Sequence, residues 1–319
     1  MYRVVFFGTE SFAVKILQSL LAAPELFSVV AVVTQPARPV GRKQVLTESP
    51  VALHGKEHGI EVLTPPKLKE PAIAQQLAAY AADTFVVAQY GMIIPQAILD
   101  IPQHGAINVH ASLLPRHRGA SPVHTAILAG DTETGVTFMK MDAQMDHGDL
   151  FAEYSLHILP SDTTETLMDK LADLSAQHFP QDLHELLSGT RVATAQNHAA
   201  ATGTNMLSRE SGFVSFETMD AALIERMTRA YYPWPGVSMQ IEDAIFKIIK
   251  AHTMPACEIS VPGTLSVSDN GIQIETIDGI LVVDEIQPAG KNPLSAQQFS
   301  NGYKSLSGKK CTTMSVSSK

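Results

Sequence analysis

The chain has 319 residues, 45% of them hydrophobic and 17% charged, with a formal net charge of −9. That length predicts about two domains with cores of their own, and that composition excludes a disordered chain. An acidic balance excludes nucleic-acid binding through bulk charge, so any such contact must rest on local basic sites.

Met1–Gly8 lacks the features of a signal peptide; its apolar run Arg3–Phe7, ending at Gly8, predicts a buried strand of a parallel sheet. Thr9 or Ser11 is placed to cap the next helix, where Phe12, Ile16 and Leu20 recur every four residues until Pro24 closes it. Phe27–Thr34 predicts a second buried strand, followed by a polar stretch, Gln35–Pro50, carrying Arg38, Arg42 and Lys43. Further strands are predicted at Ile60–Leu63, Thr84–Ala88, Gly105–Val109, Gly135–Met141 and Phe151–Ile158. Helices are predicted at Leu68–Ala79, Ala120–Ala129 and Thr163–Leu187. This alternation implies βαβ units, hence a Rossmann-like α/β domain with an open parallel sheet and ligands at the carboxyl ends of its strands.

Residues 189–208 are small and polar and predict a linker between a domain at 1–188 and a second at 209–319. In the second domain a helix, Ala221–Ala230, precedes Tyr231–Tyr232–Pro233–Trp234–Pro235–Gly236. The short strands that follow, with Gly and Asp-Asn turns, predict a small β-barrel of the oligonucleotide-binding kind. The Ser- and Lys-rich tail after Tyr303 is expected to fray. Cys257 and Cys311 are too few for a disulfide framework. No apolar run approaches the ~18 residues needed to cross a bilayer. A cytoplasmic monomer is the expectation.

Chemistry concentrates at two places. Gly8–Thr9–Glu10–Ser11–Phe12–Ala13 lacks two of the three glycines of a dinucleotide-binding turn, and there is no Walker motif. Asn108 and His110, by contrast, end the fifth predicted strand, and alternation sends both to the same side. A Pro-containing loop with two arginines follows, Ala111–Gly119 (ASLLPRHRG). Met141–Asp149 (MDAQMDHGD) crowds Asp142, Asp146 and Asp149 into a Gly-containing turn expected at the same sheet edge. A carboxylate beside a histidine holds its tautomer and stabilises its charged form, and Asn offers a neutral donor to an oxyanion. Asn108, His110 and Asp146 are therefore the candidate catalytic residues for transfer of a one-carbon acyl group. A metal held by His110, Asp146, His147 and Asp149 lacks the spacing of hydrolytic metal sites. Ser112 lies in no G-x-S-x-G. No metal is expected.

NVHASLLPRHRG (Asn108–Gly119), MDAQMDHGDL (Met141–Leu150), VVFFGTESFAV, TQPARPVGRK, VVAQYGMIIP, YYPWPG and FSNGY are all present in the chain. The set, in its order and spacing, resembles the folate-dependent formyltransferases, most closely those acting on initiator tRNA. The resemblance implies 10-formyltetrahydrofolate as formyl donor and the amino group of initiator methionyl-tRNA as acceptor. It implies catalytic roles for Asn108, His110 and Asp146 and folate contacts from Ser112, Leu113, Leu114 and Pro115. It also implies tRNA contacts from the loop with Arg38, Arg42 and Lys43. Gln144 and Met145 replace the family's Gly-Leu, and His147 stands where Thr is common. Residues Asn205–Lys319 hold ten Lys/Arg against twelve Asp/Glu, so tRNA affinity should rest on local sites. Arg116, Arg118, Arg226 and Arg229 are further candidates. Tyr231, Tyr232 and Trp234 are expected to pack rather than to stack on bases. A sugar-amine formyltransferase, a formyltetrahydrofolate hydrolase and a non-catalytic tRNA-binding protein are the alternatives.

Overall fold

A computed structural model describes residues 1–41, 43–256, 261–269 and 271–314. The first half of the chain runs β1 (Tyr2–Gly8), α1 (Ser11–Leu21), β2 (Phe27–Val33), β3 (Arg38–Val40), β4 (Val45–Thr47), α2 (Pro50–Glu57), β5 (Glu61–Leu63), α3 (Pro71–Ala79), β6 (Thr84–Ala88), α4 (Gln96–Leu99), β7 (Ala106–His110), β8 (Arg118–Gly119), α5 (Pro122–Ala129), β9 (Glu133–Lys140), β10 (Leu150–His157), α6 (Thr164–Ser188) and β11 (Gly203–Thr204). After it come α7 (Ala221–Ala230), β12 (Val237–Ile241), β13 (Ala244–Met254), β14 (Leu265–Ser268), β15 (Gly271–Glu275), β16 (Ile280–Pro288), β17 (Leu294–Ser295), α8 (Ala296–Tyr303) and β18 (Cys311–Thr312).

The main sheet has the order β10-β9-β7-β6-β1-β2-β5. Its five strands from β7 to β5 are parallel, as the βαβ alternation predicts. The sheet as a whole is mixed, not purely parallel, because β9 runs antiparallel to β7 and β10 antiparallel to β9. The short connection Met141–Asp149 leaves no room for the crossover a parallel pair would need. Alternation divides the apolar strands between two faces: Val5, Phe7, Phe85 and Val87 join Leu77 of α3 and Ile98 and Leu99 of α4 in one core cluster. Val4, Phe6 and Val86 point the other way and are fully buried. Phe179 of α6 meets Phe138 of β9 edge-on at 5.0 Å. Each such ring removes on the order of 150–250 Å² from water.

Neither Thr9 nor Ser11 caps α1. Its N-cap residue is Glu10, with no side-chain bond, and the Thr9 hydroxyl donates instead to the carbonyl of Tyr90 at 2.9 Å. The stretch Gln35–Pro50 is not a featureless loop: β3 and β4 pair as an exposed hairpin. Ser49 then caps α2, accepting from the N–H of Ala52.

Compactness separates two units. The first comprises 1–122, 133–157 and 168–205; the second comprises 123–132, 158–167 and 206–319. Residues 189–205 belong to the first unit. Thr194 exchanges both main-chain bonds with Leu150 at 2.8 Å, and β11 pairs with β8.

The second unit holds an antiparallel, barrel-like sheet in the order β14-β15-β16-β13-β12-β18. The tail, whose composition suggests fraying, closes it. β18 pairs with β12, and the N–H groups of Gly308 and Cys311 donate to Leu265 and Gly263 at the start of β14. Cys311 is 2% exposed, and the barrel's own edges supply the partners that a free tail would lack. Among the described residues no helix is long and apolar enough to cross a membrane.

Candidate active site

β7 is the central positioning element. It lies between β6 and β9, so its carboxyl end is held laterally on both sides. Asn108 and His110 point to one face, with His110 only 6% exposed and Asn108 half-buried. The loop that follows turns through a cis Leu114–Pro115 bond. The Ser112 hydroxyl donates to the carbonyl of Arg116 at 2.7 Å. Thr137 of β9 pins the same loop twice, accepting from the N–H of Leu114 at 3.0 Å and donating to the carbonyl of Ser112 at 2.7 Å. A Cβ on Gly135 would lie 2.1 Å from the Tyr154 carbonyl and 2.6 Å from Leu113, so this close approach requires glycine.

The second loop, between β9 and β10, is built the same way. A Cβ on Gly148 would meet the carbonyl of Lys140 at 2.0 Å. Asp146 sits at φ 50°, in the left-handed region. Its carboxylate accepts from the N–H of Gly119 at 2.7 Å. The other carboxylate oxygen lies 3.4 Å from Nδ2 of Asn108 and 3.6 Å from Nδ1 of His110. Nε2 of His110 faces the carbonyl of His117 at 3.1 Å. Both ring nitrogens thus face oxygen atoms, the His117 carbonyl at hydrogen-bond distance and the Asp146 carboxylate slightly farther off. The three residues picked from the sequence converge on one point at the carboxyl edge of the sheet.

The departures from the family pattern form their own contacts. His147 is 2.6 Å from Asp142, and Asp142 also accepts from the N–H of Gln144 at 2.9 Å. The His147 ring stacks on His198 with centroids 4.0 Å apart and planes 3° from parallel. Met145 is exposed.

The cationic candidates divide sharply. Arg38 is exposed on β3, and Lys43 is exposed beside β4. Arg42 lies outside the described residues. Arg116 is exposed. Arg118 is engaged internally: its Nη2 donates to Gln196 at 2.6 Å and faces His198 at 3.0 Å. Arg226 donates to the carbonyl of Leu128. Arg229 grips Glu225 through two bonds and also reaches the carbonyl of Asp162. These three are building elements of the fold rather than free cations. Tyr231 packs as expected, at 7% exposed, whereas Tyr232 and Trp234 stand out at 39% and 55%.

Sequence reading missed Thr137, Gln196 and His198. Nothing in a small polar segment marks Gln196, because its partners lie 48 and 50 residues away. Among the described residues, the one group of three or more histidines and acids with ligand atoms within 4.8 Å of one another is His54 and Glu57 of α2 with His58 just after it. Asn108, His110 and Asp146 are not part of it.

Residues 2–183 match the family model described as formyl transferase, and residues 206–304 match that of the formyl transferase C-terminal domain. Among solved structures, the chain is similar to the sugar 3N-formyltransferase WlaRD, determined with dTDP and 5-N-formyl-THF. The identity is 18%, covering 92% of this chain and 99% of that one, with a TM-score of 0.65. A second is an N-formyltransferase from Helicobacter canadensis in complex with folinic acid and dTDP-3-aminofucose, at 19% identity, coverage of 90% and 100%, and TM-score 0.64. A third is phosphoribosylglycinamide formyltransferase from Bacillus halodurans, at 29% identity over 59% of this chain and 96% of that one, with TM-score 0.51.

Proposed function

We infer, for a chain that belongs to the formyl transferase family, that it carries formyl from 10-formyltetrahydrofolate to the α-amino group of methionine on initiator tRNA, as a methionyl-tRNA formyltransferase does. The observation that supports formyl transfer is the approach of Asn108 and His110 to within 3.6 Å of one carboxylate oxygen of Asp146. The free amine attacks the formyl carbon and a tetrahedral oxyanion forms. Asn108 and a protonated His110 stabilise that charge, each donor contributing about 3 kcal/mol in a preorganised site. Asp146 orients His110 and assists the proton that passes from the amine to N10, so that the intermediate collapses with cleavage of the formyl carbon–N10 bond and tetrahydrofolate leaves. No covalent enzyme intermediate is needed; positioning and electrostatics suffice.

Ser112–Pro115 is the proposed folate-contacting segment. Its hydroxyl and one N–H are already committed within the site, so recognition there falls to the remaining backbone groups and to Leu113. Support for tRNA as acceptor comes from the YYPWPG and FSNGY motifs and from the exposed β3–β4 hairpin. The hairpin couples Arg38 and Lys43 to exposed Val40, Val45 and Leu46. A cation-bearing apolar tip suits a nucleic-acid end, where phosphates and unstacked bases lie together.

One observation favours a second reading, a sugar-amine acceptor: the two sugar formyltransferases named above are spanned over nearly their whole length. A single assay separates them. With 10-formyltetrahydrofolate as donor, charged initiator tRNA, charged elongator tRNA and an aminosugar nucleotide are offered in turn. Formylation of the initiator tRNA alone is expected; preference for the aminosugar would replace the first reading by the second.

A further inference from the structure

Asp146 is held in a left-handed backbone conformation within an exposed turn, yet its carboxylate must stay within reach of Asn108 and His110. Its own side-chain bonds do not fix that backbone. The fixing contact comes from 50 residues downstream. The Gln196 amide donates to the carbonyl of Asp146 at 3.0 Å and to that of Gly148 at 2.7 Å. Its oxygen in turn accepts from Nη2 of Arg118 at 2.6 Å. Gln196 is 6% exposed.

Arg118 belongs to the other loop of the site, adjacent to Gly119, whose N–H holds the Asp146 carboxylate. Gln196 therefore ties the two loops together, one through each end of its amide. The chain around it is anchored on both sides. Thr194 pairs with Leu150 ahead of it, and Thr202 bonds the backbone of Pro115, His117 and Arg118 behind it.

We propose that Gln196 is a positioning residue for formyl transfer, acting through the backbone of Asp146. This rests on the reading of Asn108, His110 and Asp146 as the catalytic group. A carboxylate a fraction of an ångström out of place loses its hold on the imidazole in the transition state, while substrate binding surfaces stay intact. Displacements of about 1 Å commonly cost on the order of 100-fold in rate.

The test is a double-mutant cycle on the full chain, with 10-formyltetrahydrofolate and whichever acceptor it formylates. Gln196→Ala is expected to lower kcat by about 10- to 100-fold and to leave KM for the acceptor within about twofold. Gln196→Glu keeps the size but offers no donor to the two carbonyls, so it is expected to behave alike; it serves if the alanine variant does not fold. In an Asp146→Asn background the same change at 196 is expected to cost less than about twofold, because the path it acts through is gone. An unchanged kcat in Gln196→Glu, or a loss that multiplies fully in the Asp146→Asn background, overturns the proposal. Should Asp146→Asn itself retain full activity, the catalytic reading falls instead, and the two failures are told apart.

Discussion

The backbone N–H of Gly119 donates to the carboxylate of Asp146 at 2.7 Å, so an acid on one loop is placed by the main chain of another. Gly119 is confined there from two directions. Its φ is +113°, and a Cβ would lie 2.8 Å from the Thr204 hydroxyl and 2.9 Å from its carbonyl. Gly119→Ala should therefore destabilise the fold by about 1–3 kcal/mol. It should also lower kcat more than KM. Urea unfolding and steady-state kinetics read the two effects separately; full stability with full activity contradicts the geometry.

His110→Ala is expected to reduce formyl transfer by at least ~10²-fold with little loss of acceptor binding. Single-turnover formylation, with acceptor affinity measured independently, checks it. Turnover like the wild type would remove His110 from the reaction.

The hairpin makes a prediction about salt. If the acceptor is tRNA, as proposed, Arg38→Ala and Lys43→Ala should raise KM for charged tRNA a fewfold and leave kcat nearly constant. Both should also flatten the dependence of binding on salt concentration, since a surface that neutralises fewer phosphates displaces fewer counterions. Arg118→Ala should not follow that pattern, because its guanidinium is spent on Gln196 and His198. A shared salt slope for all three variants would place Arg118 among the proposed tRNA contacts.

His124 on α5 predicts a pH effect. Burial pushes its imidazole down to about 4 from an ordinary 6.5. The unfolded chain then binds a proton that the folded chain refuses. The stability it contributes is complete above pH 6.5 and is lost as pH falls through about 4. The decline over that window should exceed that of a His124→Gln variant by at most about 3 kcal/mol. Parallel curves for the two proteins in denaturant titrations across this range would contradict it.

The tail supplies a further prediction. Burial pushes the Cys311 thiol up to about 12, so alkylation there should be at least ~10-fold slower in the folded protein than after unfolding. Truncation after Ser307 should lower the unfolding midpoint clearly, because it removes the bonds to β12 and β14.

How much of the fold is legible in the sequence follows from physical signal strength. Short apolar runs such as Arg3–Phe7 and Thr84–Ala88 identify buried strands almost unaided. Alternation alone places Asn108 and His110 on one side of β7. The direction of β9 is not legible, since strand sense depends on the connection rather than on side-chain pattern. α2 escapes because Pro50–Glu57 carries little helical periodicity, although Ser49–Pro50 is a start signal that could reveal it. β18 escapes because two residues of a polar tail have no pattern; only the barrel edges give them meaning. Gln196 escapes for the same reason at longer range.

Barrel closure by so short a segment also bears on solubility. Without Gly308–Thr312, β12 and β14 would each present a row of unpaired N–H and C=O groups beside apolar side chains such as Met239 and Val267. Open edges of that kind are templates for pairing with another copy of the same chain. These few polar residues therefore act as a guard against edge-to-edge assembly. A nick at the exposed Ser307–Gly308 turn is expected to reveal itself first as self-association.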